Sequence, residues 1–249
     1  MNMNTTLTPS QQRSYFDSFV QRANWANVDA DLVSPAFQRE VSAFVDFACI
    51  PPNSRVLDFG CGRGLWSIAL ARLGHTLVSI DVSERSIEPL SNAGPVTLPG
   101  RVLPVVGTPE VLGPSATAAF GAVICIDVLH HVEDIPGTIN WMVSLLRPGG
   151  VFAAIEPIAR FPFWRLMPWV IPGFNWEFEH GVVRCRKEYL VEALRLAGGT
   201  DIRVAHWKLI PGNLSERFPF LKCIETAALK VLQLRDHSFF LMIRAMSPD

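Results

Sequence analysis

The segment VLDFGCGRG at 56 to 64 is the part of this chain best suited to hold a small reactive molecule. An apolar run ends at Asp58 and Phe59, and Gly60, Gly62 and Gly64 follow at alternate positions, with Cys61 between the first two, before a helix-length stretch begins. Glycine lets a backbone turn sharply and come close to a ligand, and free N–H groups at the start of the next helix can face a carboxylate or a phosphate. A nucleotide-type cofactor is implied. Seventeen residues past Gly64, Asp81 closes the next apolar run, where a carboxylate can accept hydrogen bonds from both hydroxyls of a ribose. Taken singly, the glycines could be a tight turn and Asp81 a helix cap; together, at this spacing, they favour a ligand site. A dinucleotide fingerprint would place its third glycine at position 65, where Leu65 stands, so a nicotinamide oxidoreductase is the weaker reading.

Groups able to move a proton come later in the chain. His130 and His131 follow the apolar run at 122–126, Glu156 closes the run at 151–155 just before Pro157, and His180 sits in EFEHG at 177–181. His131 and His180 are the candidate general bases, and Glu156 is expected to point into the same crevice and orient a substrate. The plain alternative for each histidine is a packed or surface residue bonded to backbone.

These residues need a sheet to bring them together. Continuous apolar runs at 55–59, 77–80, 102–106, 122–126 and 151–155 suit strands buried on both faces, and 202–210 and 238–246 read as two more, seven in all. Helices are expected at 34–48, with Ser34 as cap and Pro35 at the first position, at 65–73 closed by Gly74, at 138–146 closed by Pro148, Gly149 and Gly150, and at 188–197 ended by Gly198. Strand and helix alternate, which predicts an α/β fold with a doubly wound, mostly parallel seven-stranded sheet. At 249 residues the chain is expected to form one domain, with 1–50 as a helical cap and 158–187 and 211–236 as insertions over the edge of the sheet.

Composition excludes several classes. With 22 Lys and Arg against 23 Asp and Glu there is no basic surplus for a phosphate backbone, so a nucleic-acid partner is not expected. Cys49, Cys61, Cys125, Cys185 and Cys223 are odd in number and scattered, which argues against a disulfide framework or a zinc knuckle and for a reducing, cytoplasmic setting. No apolar stretch is long enough to cross a membrane, and the polar start MNMNTTLTPSQQ lacks the form of a secretory signal. A 49% hydrophobic composition still calls for a greasy pocket, a homodimer contact or a membrane-surface contact.

Residues 34–157 resemble the class I S-adenosylmethionine-dependent methyltransferases, in the small-molecule group that includes the ubiquinone-biosynthesis type. The matching segments are Asp58 to Gly64, Asp81, AVICIDVLHHVED at 122–134 and LLRPGG at 145–150. The resemblance implies a Rossmann-like methyltransferase fold and S-adenosylmethionine as cofactor. Gly60 and Gly62 would pack against its methionine portion, Asp81 would hold the ribose, Val82 would flank the adenine, and Asp127 and Val128 would border the sulfonium. Where that family usually carries an aspartate against the adenine amino group, this chain has Thr108, a weaker acceptor. Only Asp127 stands where a catechol-type enzyme would gather metal ligands, so no metal is expected. The implied acceptor is a small hydrophobic or aromatic molecule methylated on oxygen or nitrogen. Phe161, Phe163, Trp164, Trp169, Phe174, Trp176 and Phe178 crowd the 158–187 insertion, which reads as a lid over that acceptor or as a dimer contact. A non-catalytic cofactor-binding scaffold is the alternative that the altered loop at Thr108 leaves open.

Overall fold

The computed structural model describes residues 8–23, 28–92, 98–158, 176–208 and 240–248, with 169, 220, 223, 224, 227 and 238. Seven strands, β1 (Arg55–Phe59), β2 (Thr76–Asp81), β3 (Arg101–Val106), β4 (Phe120–Ile126), β5 (Leu146–Pro157), β6 (Thr200–Trp207) and β7 (Phe240–Met246), form one sheet. Their order is β3-β2-β1-β4-β5-β7-β6. The first five run parallel, and β7 is antiparallel to both β5 and β6. The mostly parallel, doubly wound α/β sheet expected from the alternating runs is the one observed.

The winding of the sheet reverses between β1 and β4, which lie side by side and parallel although β2 and β3 intervene in sequence. Phe59 of β1 pairs with Cys125 of β4, so the loops that leave the two strands emerge level with one another. At such a switch point the loops part and open a crevice at the carboxyl edge of the sheet.

Alternate strand residues feed two cores. Leu57, Val123, Phe152 and Ile243 pack on one face against α6 (Ile135–Ser144) and α7 (Lys187–Leu196). Val56, Leu77, Ile124 and Ala153 pack on the other with Phe44 and Ala48 of α3 (Pro35–Ala48) and Leu70 of α4 (Leu65–Arg72). Helix α3 forms as its sequence dictates: the Ser34 side chain accepts from the Phe37 amide, Pro35 opens the first turn, and Cys49 closes the last in the left-handed conformation.

Two helices depart most from the sequence expectation, one in where it starts and one in forming at all. Helix α6 begins at Ile135 rather than 138, because Asp134 caps it by accepting from the Gly137 amide at 2.9 Å, and LRPGG joins β5 instead of closing the helix. Helix α5 (Glu84–Asn92) has a sparse apolar pattern and Pro89 inside, yet Ser83 caps it through the Ser86 amide and Ile87 and Leu90 are buried. Before the sheet come α1 (Pro9–Ala23) and α2 (Val28–Val33). Most of the aromatic insertion and of 211–236 lies outside the described residues. No described helix is long and apolar enough to cross a membrane.

Phe44 is fully buried and meets Trp66 edge to face at 5.1 Å, joining α3 to α4 and the sheet. Phe44→Ala is expected to lower the urea-unfolding free energy by about 3–5 kcal/mol through the cavity it leaves.

Candidate active site

The glycine loop is tied to the second strand before any ligand arrives. Gly60 and Cys61 donate their amides to the Ile80 carbonyl at 2.8 and 3.0 Å, and Asp81 accepts from the Gly62 amide through Oδ2 and from the Ser83 amide through Oδ1, both at 2.8 Å. Gly60 has φ 72°, and a Cβ there would sit 2.5 Å from a methyl of Val128. Only glycine lets the loops after β1 and β4 approach this closely. Gly64, at φ 80°, then starts α4.

Asp58 lies beneath this loop, accepting from Ser67 Oγ at 2.5 Å while Ser67 and Ser79 share a second bond of 2.6 Å. Burial pushes its carboxyl up to about 7, the Ser67 bond opposes this, and the Asp81 charge adds to it. Burial likewise raises Asp81, against the two amide bonds that favour its charge. The Cys61 thiol is also pushed up by burial and by both carboxylates, which keeps it protonated and unreactive.

A cavity of about 480 Å³ opens over these groups. Its first half is walled by Asp58, Gly60, Cys61, Gly62, Asp81 and Val82, from the ends of β1 and β2, with Gly107 beyond β3. Thr108 is not in the wall: its hydroxyl is spent on the Glu110 carboxylate, which it helps hold below the usual range. Asp127 and Val128 stand at the divide, Asp127 in the left-handed conformation at φ 60°.

The second half is apolar and aromatic, with Tyr15, Phe16, Val132, Pro157 and Phe240 around His131. Helix α1 crosses from one half to the other. Gln12 donates to the His131 carbonyl at 2.7 Å, Arg13 to the Val82 carbonyl at 2.9 Å, and Ser83 to Asp17 at 2.6 Å. Tyr15 stacks on Phe178 with ring centroids 3.7 Å apart, and Phe16 meets the His131 ring edge-on at 5.2 Å.

Of the residues expected to do proton chemistry, His131 alone lines the cavity. Glu156, expected to point into the crevice, is fully buried behind it: Oε1 accepts from the Val128 and Leu129 amides at 2.9 and 2.8 Å, and Oε2 lies 2.9 Å from His130 Nδ1. It therefore positions the loop and meets no acceptor. His130 reaches on to Glu179, with Nε2 3.2 Å from Oε2. Burial alone would discharge His130, but its bonds to Glu156 and Glu179 outweigh that and hold it well above the usual histidine range. Burial and the neighbouring His130 charge push His131 down, so it is a neutral, weakly basic imidazole. His180 starts the turn His180–Arg184 and is not in the cavity wall. Arg184 donates to the carbonyls of His130, Val132 and Glu133.

Sequence reasoning missed Tyr15, Glu179 and the role of His130. The chain has only two tyrosines, and one inside an amphipathic N-terminal helix was the available signal for Tyr15. Glu179 had none, since 49 residues separate it from His130 and no spacing motif links them.

Residues 34–201 match the family model described as a methyltransferase domain. The ubiquinone biosynthesis O-methyltransferase of Xanthomonas axonopodis pv. citri (strain 306) is 34% identical over 160 residues, which cover 60% of this chain and 64% of that protein. Its counterpart in Xanthomonas campestris pv. campestris (strain B100) is 34% identical over the same length. The chain thus spans 64% of the length of the curated relatives it matches. Among solved structures, the [4+2]-cyclase SpnF superposes with a TM-score of 0.66 at 17% identity, over 98% of this chain and 97% of that one. Haemonchus contortus phosphoethanolamine N-methyltransferase 2, in complex with S-adenosyl-L-methionine, gives 0.65 at 16% identity, over 94% of this chain and 60% of that one. At these identities the structural likeness is one of fold.

Glu156→Gln keeps the side-chain shape but turns one acceptor into a donor facing either two amides or His130. It is expected to cost about 1–3 kcal/mol in urea unfolding, the penalty for a buried polar group left unpaired.

Proposed function

The chain belongs to the methyltransferase-domain family, and from that premise we propose that it transfers the methyl group of S-adenosylmethionine to oxygen or nitrogen of a small hydrophobic or aromatic acceptor. One observation carries the reading: the glycine loop and Asp81 open into the same cavity as an aromatic chamber, and Asp127 and Val128 stand at the boundary. When bound, the cofactor supplies an electrophilic methyl on a sulfonium, and displacement at that carbon needs the nucleophile in line behind it.

The residues divide that work by strand. Gly60 and Gly62 admit the amino-acid end of the cofactor close to backbone, with Asp58 below to balance its ammonium. Asp81 keeps lone pairs for the ribose hydroxyls beside the two amides it already serves, and Val82 lies against the base. Asp127 and Val128 border the sulfonium. On the far side Tyr15, Phe16, Val132 and Phe240 enclose an aromatic ring and keep water from the reacting centre. His131, neutral and facing the chamber, accepts a hydrogen bond from the acceptor heteroatom and aims a lone pair at the methyl group. Glu156 acts through the loop that carries His131, as a positioning residue. All five cysteines are free, which supports a reducing, cytoplasmic setting.

Calorimetric titration tests the donor. S-adenosylmethionine and S-adenosylhomocysteine are expected to bind one per chain and NAD not at all, with Asp81→Ala weakening both sulfur ligands at least about tenfold, some 1.4 kcal/mol. A folded protein silent toward both would end this reading. Acidity provides a second check. Asp58 is largely protonated below its value of about 7, and a cationic ligand favours the charged form. Affinity for S-adenosylmethionine is therefore expected to fall as pH drops through 7, by up to about tenfold per pH unit, and to level off above it; Asp58→Asn should flatten the profile.

A further inference from the structure

The acceptor chamber keeps more negative charge than its histidines cancel. Glu156 and His130 lie behind the wall, 2.9 Å apart, and neutralise one another. Against its burial, bonds to Glu156 and Glu179 hold His130 at about 10, so it is an imidazolium. Two carboxylates then remain in the wall itself, Asp127 and Glu179. Burial raises Asp127 to about 6, which leaves it ionised at neutral pH, and the His130 bond outweighs burial to hold Glu179 below the usual carboxylate range. His131 supplies no charge, because burial and the neighbouring imidazolium push it down to about 3. The nearby cations are committed elsewhere. Lys208 is ion-paired with Glu40, Arg184 serves the carbonyls of His130, Val132 and Glu133, Arg63 belongs to the glycine loop on the cofactor side, and His180 stands outside the wall.

A sulfonium beside Asp127 takes up one of these two charges, and Glu179 is left for the acceptor. The rings of Tyr15, Phe16 and Phe240 line the same half, and an aromatic ring attracts a cation over its face. Carboxylate and rings together suit an ammonium. A hydroxyl acceptor fits less well, because its proton must leave as the oxygen is methylated. His130 already carries its proton and has both ring nitrogens bonded, and His131 is too weak a base to take another. A phenolate formed in advance would add negative charge to a wall that already has an excess. An amine that has shed a proton to water brings its own lone pair and needs no base while the new bond forms.

Resting on the methyl-transfer reading, we propose that the acceptor is a small arylalkyl amine, held by Glu179 and the rings of Tyr15, Phe16 and Phe240, and methylated on nitrogen. The ammonium docks against Glu179 and loses one proton to water. His131, a neutral imidazole, accepts from a remaining N–H and orients the freed lone pair. That pair forms the N–C bond, and the C–S bond of the sulfonium breaks with its electrons staying on sulfur. Positive charge thereby moves from sulfur to nitrogen, toward Glu179, which stabilises the transition state as the charge arrives.

The test sets benzylamine against its isostere benzyl alcohol and against 4-methylphenol, on the full chain. Calorimetric titration, without cofactor and again with S-adenosylhomocysteine present, reads the preference of the chamber whether or not a probe turns over. Wild type is expected to bind benzylamine at least about tenfold more tightly than either hydroxyl probe. Glu179→Gln should remove most of that preference and Tyr15→Leu part of it, while circular dichroism stays unchanged. With S-adenosylmethionine, release of S-adenosylhomocysteine is expected to be fastest with benzylamine, and kcat/KM to rise by up to about tenfold per pH unit until the free amine prevails. Equal or tighter binding of 4-methylphenol, faster transfer to either hydroxyl probe, or benzylamine binding indifferent to both the Glu179 and Tyr15 changes would each overturn the proposal. S-adenosylmethionine binding without a preference for the amine defeats only the amine assignment, and an amine preference in a folded chain silent toward both sulfur ligands defeats the methyl-transfer reading instead.

Discussion

A carboxylate closed off from bulk solvent governs the architecture of this site. Glu156 is fully buried at the end of β5, and a buried charge is tolerated only when its lone pairs are met. The Val128 and Leu129 amides and His130 Nδ1 meet them, and to do so the chain must leave β4 abruptly, with Asp127 left-handed and residues 129–131 in a tight turn. The outer side of that turn is gripped as firmly. Arg184 reaches the His130 carbonyl and those of Val132 and Glu133 just after the turn, and Gly181 packs so close to the His130 carbonyl that a Cβ would lie 1.6 Å from the oxygen. One charge thus fixes strand, loop and insertion relative to one another, and the rings of His130 and His131 are placed by it.

The sheet contributes the other half of the constraint. Because β1 and β4 are neighbours in register, the loop after β1 opens directly onto the loop after β4. Gly60 against Val128 is the point where the two loops touch, and the cavity is divided there. Side chains from β1 and β2 make a polar wall suited to an amino acid and a ribose, while those around β5, β7 and α1 make an apolar one. The polarity difference across the divide follows from strand order.

How much of this could be read in advance depended on how far each signal reached along the chain. The strand runs at 55–59 and 122–126 were legible because burial on both faces demands continuous apolar residues, and the glycine loop because its φ values demand glycine. Helix α5 was hidden by Pro89 and by an apolar face of few residues, and α6 was misplaced because Pro148 and Gly149 look like terminators when they in fact enter a strand. The role of Glu156 was misjudged for a deeper reason. A strand-terminal carboxylate can face the crevice or the loop behind it, and only three-dimensional packing shows which. Glu179 joins the cluster through tertiary contact alone, and Thr108 was taken for an adenine contact on analogy where its hydroxyl serves a neighbour instead.

Helix α1 spans the pocket in a manner that bears on how such an enzyme can change. Gln12 and Arg13 grasp the carbonyl oxygens of His131 and Val82, atoms that every amino acid at those positions would supply. These two attachments are therefore indifferent to which side chains line the two halves of the chamber beneath. Residues that select the acceptor can drift under selection while the covering helix keeps its grip, so this geometry allows a lineage to acquire new substrates without first rebuilding the means of enclosing them.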